Sequence, residues 1–289
     1  MSGKDLKIGI IGAGKVGTTL ALGLGKAGYQ VTHISSRSSS SAQKLAEKLP
    51  SAVVRQDSQA VFDNSDLIFI TTPDTAIPVV ATSVSVRPGR MVCHTSAADP
   101  VNILEPLRQQ GAVIGVFHPL QSIGSLENAV LLPGITFAIE AEEPLLAVLR
   151  QMASDLGGHC VGLSGNDRVL YHASAVMASN YLVTLVSLAS GLWQGFGPKD
   201  MAVKALLPLI RGTIDNIEAI GIPACLTGPV SRGDSGTIKR HLSALAKAAP
   251  EITDLYQLLG TKTIPLAVAK GSIDGPKAKE MKELLETVR

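Results

Sequence analysis

The sequence predicts a two-domain α/β protein: a doubly wound, mostly parallel sheet over residues 1–164, then an all-helical half over 165–289. Three observations carry this reading. A β-branched run, a glycine loop and an apolar helical stretch follow one another within residues 7–27. Strand and helix candidates then alternate as far as residue 163, the pattern of a parallel sheet covered by helices on both faces. Beyond Gly165 only helix signals remain. A chain of 289 residues is long for one core and ordinary for two, since domains usually run to about 100–200 residues.

The first element is KIGII at residues 7–11, followed by Gly12-Ala13-Gly14-Lys15-Val16-Gly17 and an apolar helical stretch at 18–27. Strand, glycine turn and helix stand in the order that dinucleotide recognition requires. Gly12 makes the tight turn, Gly14 lets the backbone approach a pyrophosphate, and Gly17 allows helix and strand to pack closely. The unpaired amides and positive dipole end of the helix then favour the anion. A second strand at 30–34 ends in Ser35-Ser36-Arg37. Proteins that select NAD place an acid there, for the ribose hydroxyl. Here an arginine flanked by hydroxyls replaces it, a set suited to a 2′-phosphate. The expected cofactor is therefore NADP(H).

Further strands are expected at 52–55, 67–72, 91–95, 112–117, 136–140 and 159–163. Ligands of such sheets lie beyond the carboxyl ends of strands. That rule selects three loops rich in hydrogen-bonding groups: Thr71-Thr72-Pro73-Asp74, His94-Thr95-Ser96 and His118-Pro119-Leu120-Gln121. Thr72, Pro73, His94, Thr95 and Ser96 are accordingly expected around the cofactor.

In the second half, one long helix is expected over 167–194. Residues 169–198 carry no Lys, Arg, Asp or Glu, so this helix is apolar nearly all round and reads as a central element packed on every side. It is long enough to cross a bilayer, but His172, Asn180, Tyr181, Gln194 and several serines interrupt it, and no membrane association is expected. Other helices are expected at 199–220, 236–249, 252–269 and 277–288. In the helix at 236–249, Ile238, Leu242, Leu245 and Ala249 form one stripe, opposite Lys239, Arg240, Ser243 and Lys247. Asp234 or Ser235 is its expected N-cap.

A net charge of +2, scattered along the chain, gives no footprint for nucleic acid or anionic lipid and points to a small-molecule partner. Cys93, Cys160 and Cys225 are odd in number and widely spaced, which argues against disulfides and structural metal and for a cytoplasmic protein. No signal peptide is expected, since the first residues carry no uncharged run long enough for one before the glycines begin. Charged residues make up 17% of the chain, against a typical figure of roughly 25%. That deficit suggests more buried surface than a monomer needs, hence a homodimer.

The motifs GAGKVG, SSRSSSSA, TTPDTAI, HTSA and FHPLQS, followed by YHASAVMASNYLV, LLPLIRGTIDNI and LTGPVSRGDSGTIKRHL, resemble the Rossmann-like proteins that carry a C-terminal helical domain of unknown function. That resemblance covers essentially the whole chain. It implies a Rossmann domain followed by a helical domain of 6-phosphogluconate dehydrogenase type, and an NADP-dependent oxidoreductase related to the PanG-type ketopantoate reductases of coenzyme A biosynthesis. His118-Pro119 also matches a motif of prephenate dehydrogenases. Ordinary ketopantoate reductases carry a lysine four residues before an asparagine on the central helix; here Asn180 is present but that position is Val176.

Reduction of a carbonyl needs a proton donor and an anchor for the rest of the substrate. His94, His118 and His172 are the candidate donors, since an imidazole titrates near neutrality. Asn180 is placed to orient the nicotinamide or the substrate, although a buried asparagine can equally satisfy backbone groups. Arg232 and Asp234 stand at a helix N-terminus, a combination suited to the carboxylate of a 2-oxo acid, or else to a structural ion pair. Two other readings stay open: a non-catalytic NADP-binding sensor, favoured by the missing lysine, and a prephenate or arogenate dehydrogenase-like enzyme.

Overall fold

The computed structural model describes residues 3–124, 132–165 and 167–287. Among these, the chain divides into two compact units, Met1–Ser179 and Asn180–Arg289. This division falls later than the expected boundary at 164, because the first turns of the long helix pack with the sheet.

The first unit is an eight-stranded sheet in the order β3-β2-β1-β4-β5-β6-β7-β8. Its strands are β1 (Lys7–Ile11), β2 (Gln30–Ser35), β3 (Val53–Val54), β4 (Leu67–Ile70), β5 (Met91–His94), β6 (Val113–Pro119), β7 (Thr136–Ala141) and β8 (His159–Gly162). Reversal of strand order at β1 and β4 is the doubly wound arrangement. All pairings are parallel except β6 with β7. Strands covered on both faces read as continuous apolar runs, and LIFI of β4 is buried at every position.

Helices α1 (Lys15–Lys26), α2 (Ser39–Ala46), α3 (Ser58–Asn64), α4 (Ile77–Ser83), α5 (Glu105–Arg108) and α6 (Leu145–Asp155) connect these strands. On one face Leu20, Leu24, Phe69, Phe117, Phe137 and Leu149 form a core, in which Phe117 stacks on Phe137 with centroids 4.6 Å apart. On the other face Phe62, Ile68, Ile70, Val92, Leu104 and Ile114 form a second core. Register decides what continues that second face toward the carboxyl edge. Ile11 lies abreast of Ile70, Ile70 of His94, His94 of Val116, and Val116 of Glu140. Cross-strand partners point to the same face, so His94 and Glu140, and His118 two residues beyond Val116, extend the Ile70 face. At that edge the apolar face becomes polar.

The long helix is α7 (Asp167–Ala175), a π-helical turn at Val176–Asn180, and α8 (Tyr181–Gly191), ending in a 3-10 turn at Leu192–Gly195. Its apolar side chains are not packed on every side as the sequence suggested. Val169, Leu170, Met177 and Val183 are each 65% exposed or more. An all-round apolar surface requires cover, but the single chain does not supply it. By length and composition alone, this helix could cross a membrane.

In the second unit α8 packs along α9 (Lys199–Ile220), and α10 (Gly228–Ser231), α11 (Ser235–Ala248), α12 (Pro250–Ala269) and α13 (Gly275–Thr287) pack on one another. Ile238, Leu242, Ile264, Met281 and Leu285 are their shared core. The stripe expected on α11 is the buried one: Ile238, Leu242, Leu245 and Ala249 are all inside.

Candidate functional site

The glycine loop is built by steric necessity. Gly12 has φ +109°, and a Cβ there would lie 2.9 Å from the Thr71 carbonyl. A Cβ on Gly17 would lie 2.0 Å from Gly12 O and 2.4 Å from Thr71 Oγ1. Both positions exclude any side chain. Gly14, the residue before α1, differs: a Cβ there meets nothing within 4 Å. Its bare backbone opens onto space, as a backbone that admits a pyrophosphate must. Thr71 ties loop to strand, its Oγ1 donating to Gly12 O at 2.6 Å.

A cleft of about 620 Å³ lies over this crossover. Gly12, Ala13 and Gly14 line it, with Ser35, Ser36 and Arg37 from the end of β2 and Thr72 and Pro73 from the end of β4. Thr72 Oγ1 is buried without a hydrogen-bond partner among the described residues. Ser38 caps α2, with Oγ accepting from Ser41 N at 3.3 Å and Ser41 Oγ at 3.0 Å. Arg37 is exposed beside these hydroxyls. An acid also lines the cleft, Asp57, but its carboxylate caps α3 through Ala60 N at 2.8 Å. Lys15 is exposed and Val16 half-buried in the first turn of α1; neither lines the cleft. An open backbone at Gly14, hydroxyls and an arginine at the β2 end, and an unpaired Thr72 hydroxyl fit a phosphorylated dinucleotide.

Two strands along the same edge, about 10 Å away by interstrand spacing, His94 is fully buried. Both its ring nitrogens are engaged: Nδ1 accepts from Ser96 N at 3.2 Å, and Nε2 lies 3.3 Å from Pro100 O. Burial pushes its pKa down to about 4, aided by the Arg168 charge. Ser96 Oγ donates to Asp99 Oδ2 at 3.0 Å, and Thr95 is buried. Strand β5 and its loop thus form a self-satisfied support, none of it lining the cleft.

His118 is a different case. Its Nδ1 lies 3.0 Å from the Tyr171 hydroxyl, and the two rings meet edge to face. Burial, then the charges of His172 and Arg168, push His118 down to about 4. Burial pushes Tyr171 up to about 12, partly offset by Arg168. At neutral pH the pair is therefore an uncharged imidazole and an uncharged phenol sharing one hydrogen bond. Such a pair can deliver a proton without first ionising. Arg168, 1% exposed, supports it from the turn before, with Nε donating to Glu140 Oε2 at 2.6 Å.

His172 is exposed on α7. Asn180 ends the π turn, so the angle between these two residues is not that of a regular helix; its side chain is exposed. Arg232 and Asp234 belong to the second unit. Arg232 is exposed, and Asp234 is the N-cap of α11, accepting from Thr237 N at 2.9 Å and Thr237 Oγ1 at 2.6 Å. Tyr171, Arg168 and Glu140 were not singled out in the sequence. The signal available was the three-residue spacing of Arg168 and Tyr171, which puts both on one helix face.

A glycine loop at the first crossover, and a sheet whose order reverses beside it, define a Rossmann domain. Family models agree: the Rossmann-like domain matches residues 1–119, and the domain of unknown function DUF2520 matches residues 135–263. The chain therefore carries a Rossmann-like domain followed by that helical domain. A protein from Bacteroides fragilis, provisionally described as an NADP oxidoreductase, is similar over 91% of this chain and all of its own, at 28% identity and a TM-score of 0.72. A Thermotoga maritima protein shares the fold at 22% identity and a TM-score of 0.73, covering 90% of this chain and 99% of its own. An imine reductase from a Pseudomonas species shares it at 18% identity and 0.65, covering 98% and 99%. No curated protein matches the sequence.

Proposed function

We propose that this protein is an NADP(H)-dependent oxidoreductase that reduces a small, carboxylate-bearing carbonyl compound. Ketopantoate is the substrate that the sequence resemblance favours. The observation that carries the reading is the uncharged His118–Tyr171 pair, on the same sheet edge as the cleft over the glycine loop. Similarity to the Bacteroides fragilis protein supports the oxidoreductase class and the cofactor.

Gly12, Ala13 and Gly14 would hold the pyrophosphate, and Arg37 with Ser36, Ser38 and Ser41 the 2′-phosphate. When bound, the nicotinamide supplies the hydride. The residues do the rest. Tyr171 gives its hydroxyl proton to the oxygen that gains charge; His118, neutral with its proton on Nδ1, donates a hydrogen bond that stabilises the phenolate, which then takes a proton from solvent. This pair supplies the proton that the absent lysine gives elsewhere. It would serve a C=N substrate equally well, and the fold shared with an imine reductase makes that the second reading.

The experiment is a screen of 2-oxo acids and cyclic imines with NADPH, followed at the nicotinamide absorbance. We expect turnover of a 2-oxo acid, and a Tyr171→Phe variant with kcat lower by about 10²-fold or more and an unchanged Kd for NADPH. Tight NADPH binding with no turnover of any compound would favour a cofactor sensor instead.

The exposed apolar side chains of α7, α8 and α9, among them Leu170, Val183, Leu209 and Ile220, support a homodimer as the working form. Exposed apolar side chains in such number are uncommon on a monomer, and the polar residues spaced along the long helix suit a protein partner better than lipid.

A further inference from the structure

Arg168 is the second residue of α7 and is 1% exposed. Only its Nε is used, on Glu140. Nη1 and Nη2 are both buried and have no hydrogen-bond partner among the described residues. Leaving a buried donor unpaired costs roughly 1–3 kcal/mol, more for a charged group, and native structures rarely do so without a reason. The guanidinium is a rigid fork whose outer edge matches two oxygens of a carboxylate. Here both nitrogens of that edge are unpaired among the described residues.

Its surroundings are fixed by register. Glu140 lies abreast of Val116, and Val116 of His94, with His118 two residues on along the same face. Tyr171, three residues after Arg168, approaches that face from the same side of α7 and meets His118. His94, His118 and Tyr171 all feel the Arg168 charge, so the guanidinium sits among the groups that would handle the proton. Glu140, 22% exposed, holds one edge of the fork only.

We propose that Nη1 and Nη2 of Arg168 bind the carboxylate of the substrate beside the His118–Tyr171 pair, and so select carboxylate-bearing compounds over neutral ones. This rests on the reductase reading and names an anchor other than Arg232. Both nitrogens are shielded from solvent, so the carboxylate reaches them by displacing a neighbouring side chain.

The test compares 3-methyl-2-oxobutanoate with its methyl ester, using the full chain with NADPH. Because Arg168→Gln alone orphans Glu140, the informative variant is R168Q/E140Q, with E140Q as its control and a thermal melt to confirm folding. We expect kcat/KM for the acid to fall about 100-fold relative to E140Q, the ester to stay within about threefold, and the Kd for NADPH to hold. An unchanged acid-to-ester ratio overturns the proposal and assigns the two nitrogens to internal water. Calorimetric binding of the acid in the presence of NADP+ separates this inference from the reductase reading. Binding by E140Q that is lost in R168Q/E140Q, with no turnover by the wild type, keeps the anion site and removes the reductase. Equal binding by the two variants, or none by the wild type, removes the anion site.

Discussion

Single atoms decide the character of the cleft over the glycine loop. At the end of β2, Arg37 and the hydroxyls of Ser36, Ser38 and Ser41 line the cleft together, whereas the nearby acid, Asp57, is committed to a helix cap. Charge-assisted bonds from an arginine to a phosphate account for strong discrimination. Arg37→Ala is therefore expected to weaken NADPH binding by at least about 10-fold, on the order of 1.4 kcal/mol, while leaving NADH almost unchanged. Fluorescence titration of both cofactors measures this, and a parallel loss for NADH would assign Arg37 to architecture. That these residues meet in one cleft with the glycine loop was legible in the sequence, because strand, loop and arginine lie within about 30 residues. Tyr171 and Arg168 were not, because each takes its meaning from a partner far away in the chain, His118 and Glu140.

Among elements, the first β–α crossover separates two kinds of glycine that look alike in the motif. Gly17 lets α1 approach β1 and β4, and an added methyl would collide with backbone and Thr71. Overpacking of this sort costs about 1–3 kcal/mol or more, so Gly17→Ala should lower Tm by several degrees. Gly14 faces open space; Gly14→Ala should leave Tm within a degree or two yet weaken NADPH binding by about 10-fold or more. Differential scanning calorimetry and cofactor titration on both variants decide the matter. Equal effects on Tm would contradict the geometry. The long helix teaches the opposite lesson. Its position and length were clear from an uncharged run, but the π turn at Val176–Asn180 has no local signature in the sequence. Its apolar circumference signalled burial without saying by what.

Taken as a whole, the chain carries a store of histidines held neutral. Burial pushes His94 and His118 down to about 4 and lowers His33 as well. Folded pKa values below the unfolded value of about 6.5 mean that the unfolded chain binds more protons between those limits. Stability is therefore complete above about pH 6.5 and falls as pH drops toward 4, by up to about 1.4 kcal/mol per pH unit for each fully shielded histidine. Tm measured from pH 7.5 to 4.5 should decline through this window, and His118→Asn should flatten the decline. A flat wild-type profile would mean that these imidazoles are already solvated. Assembly is the second whole-molecule expectation. Light scattering at micromolar concentration should give twice the chain mass, because α8 and α9 expose Tyr181, Val183, Leu209 and Ile214. A single-chain mass, or a requirement for detergent, would remove the dimer.

By itself the sequence determined the sheet, the glycine loop, the residues that meet in the cleft over it and the run of helices after Gly165, because each depends on contacts within a few tens of residues. Strand propensity, turn chemistry and helix periodicity are short-range properties, and they agreed with one another. Only the tertiary structure decided which polar groups stand together. Cross-strand register set His94, His118 and Glu140 on one face, and the packing of α7 brought Arg168 and Tyr171 to them. Long-range register of this kind comes from the packing of whole faces, and no window of sequence contains it.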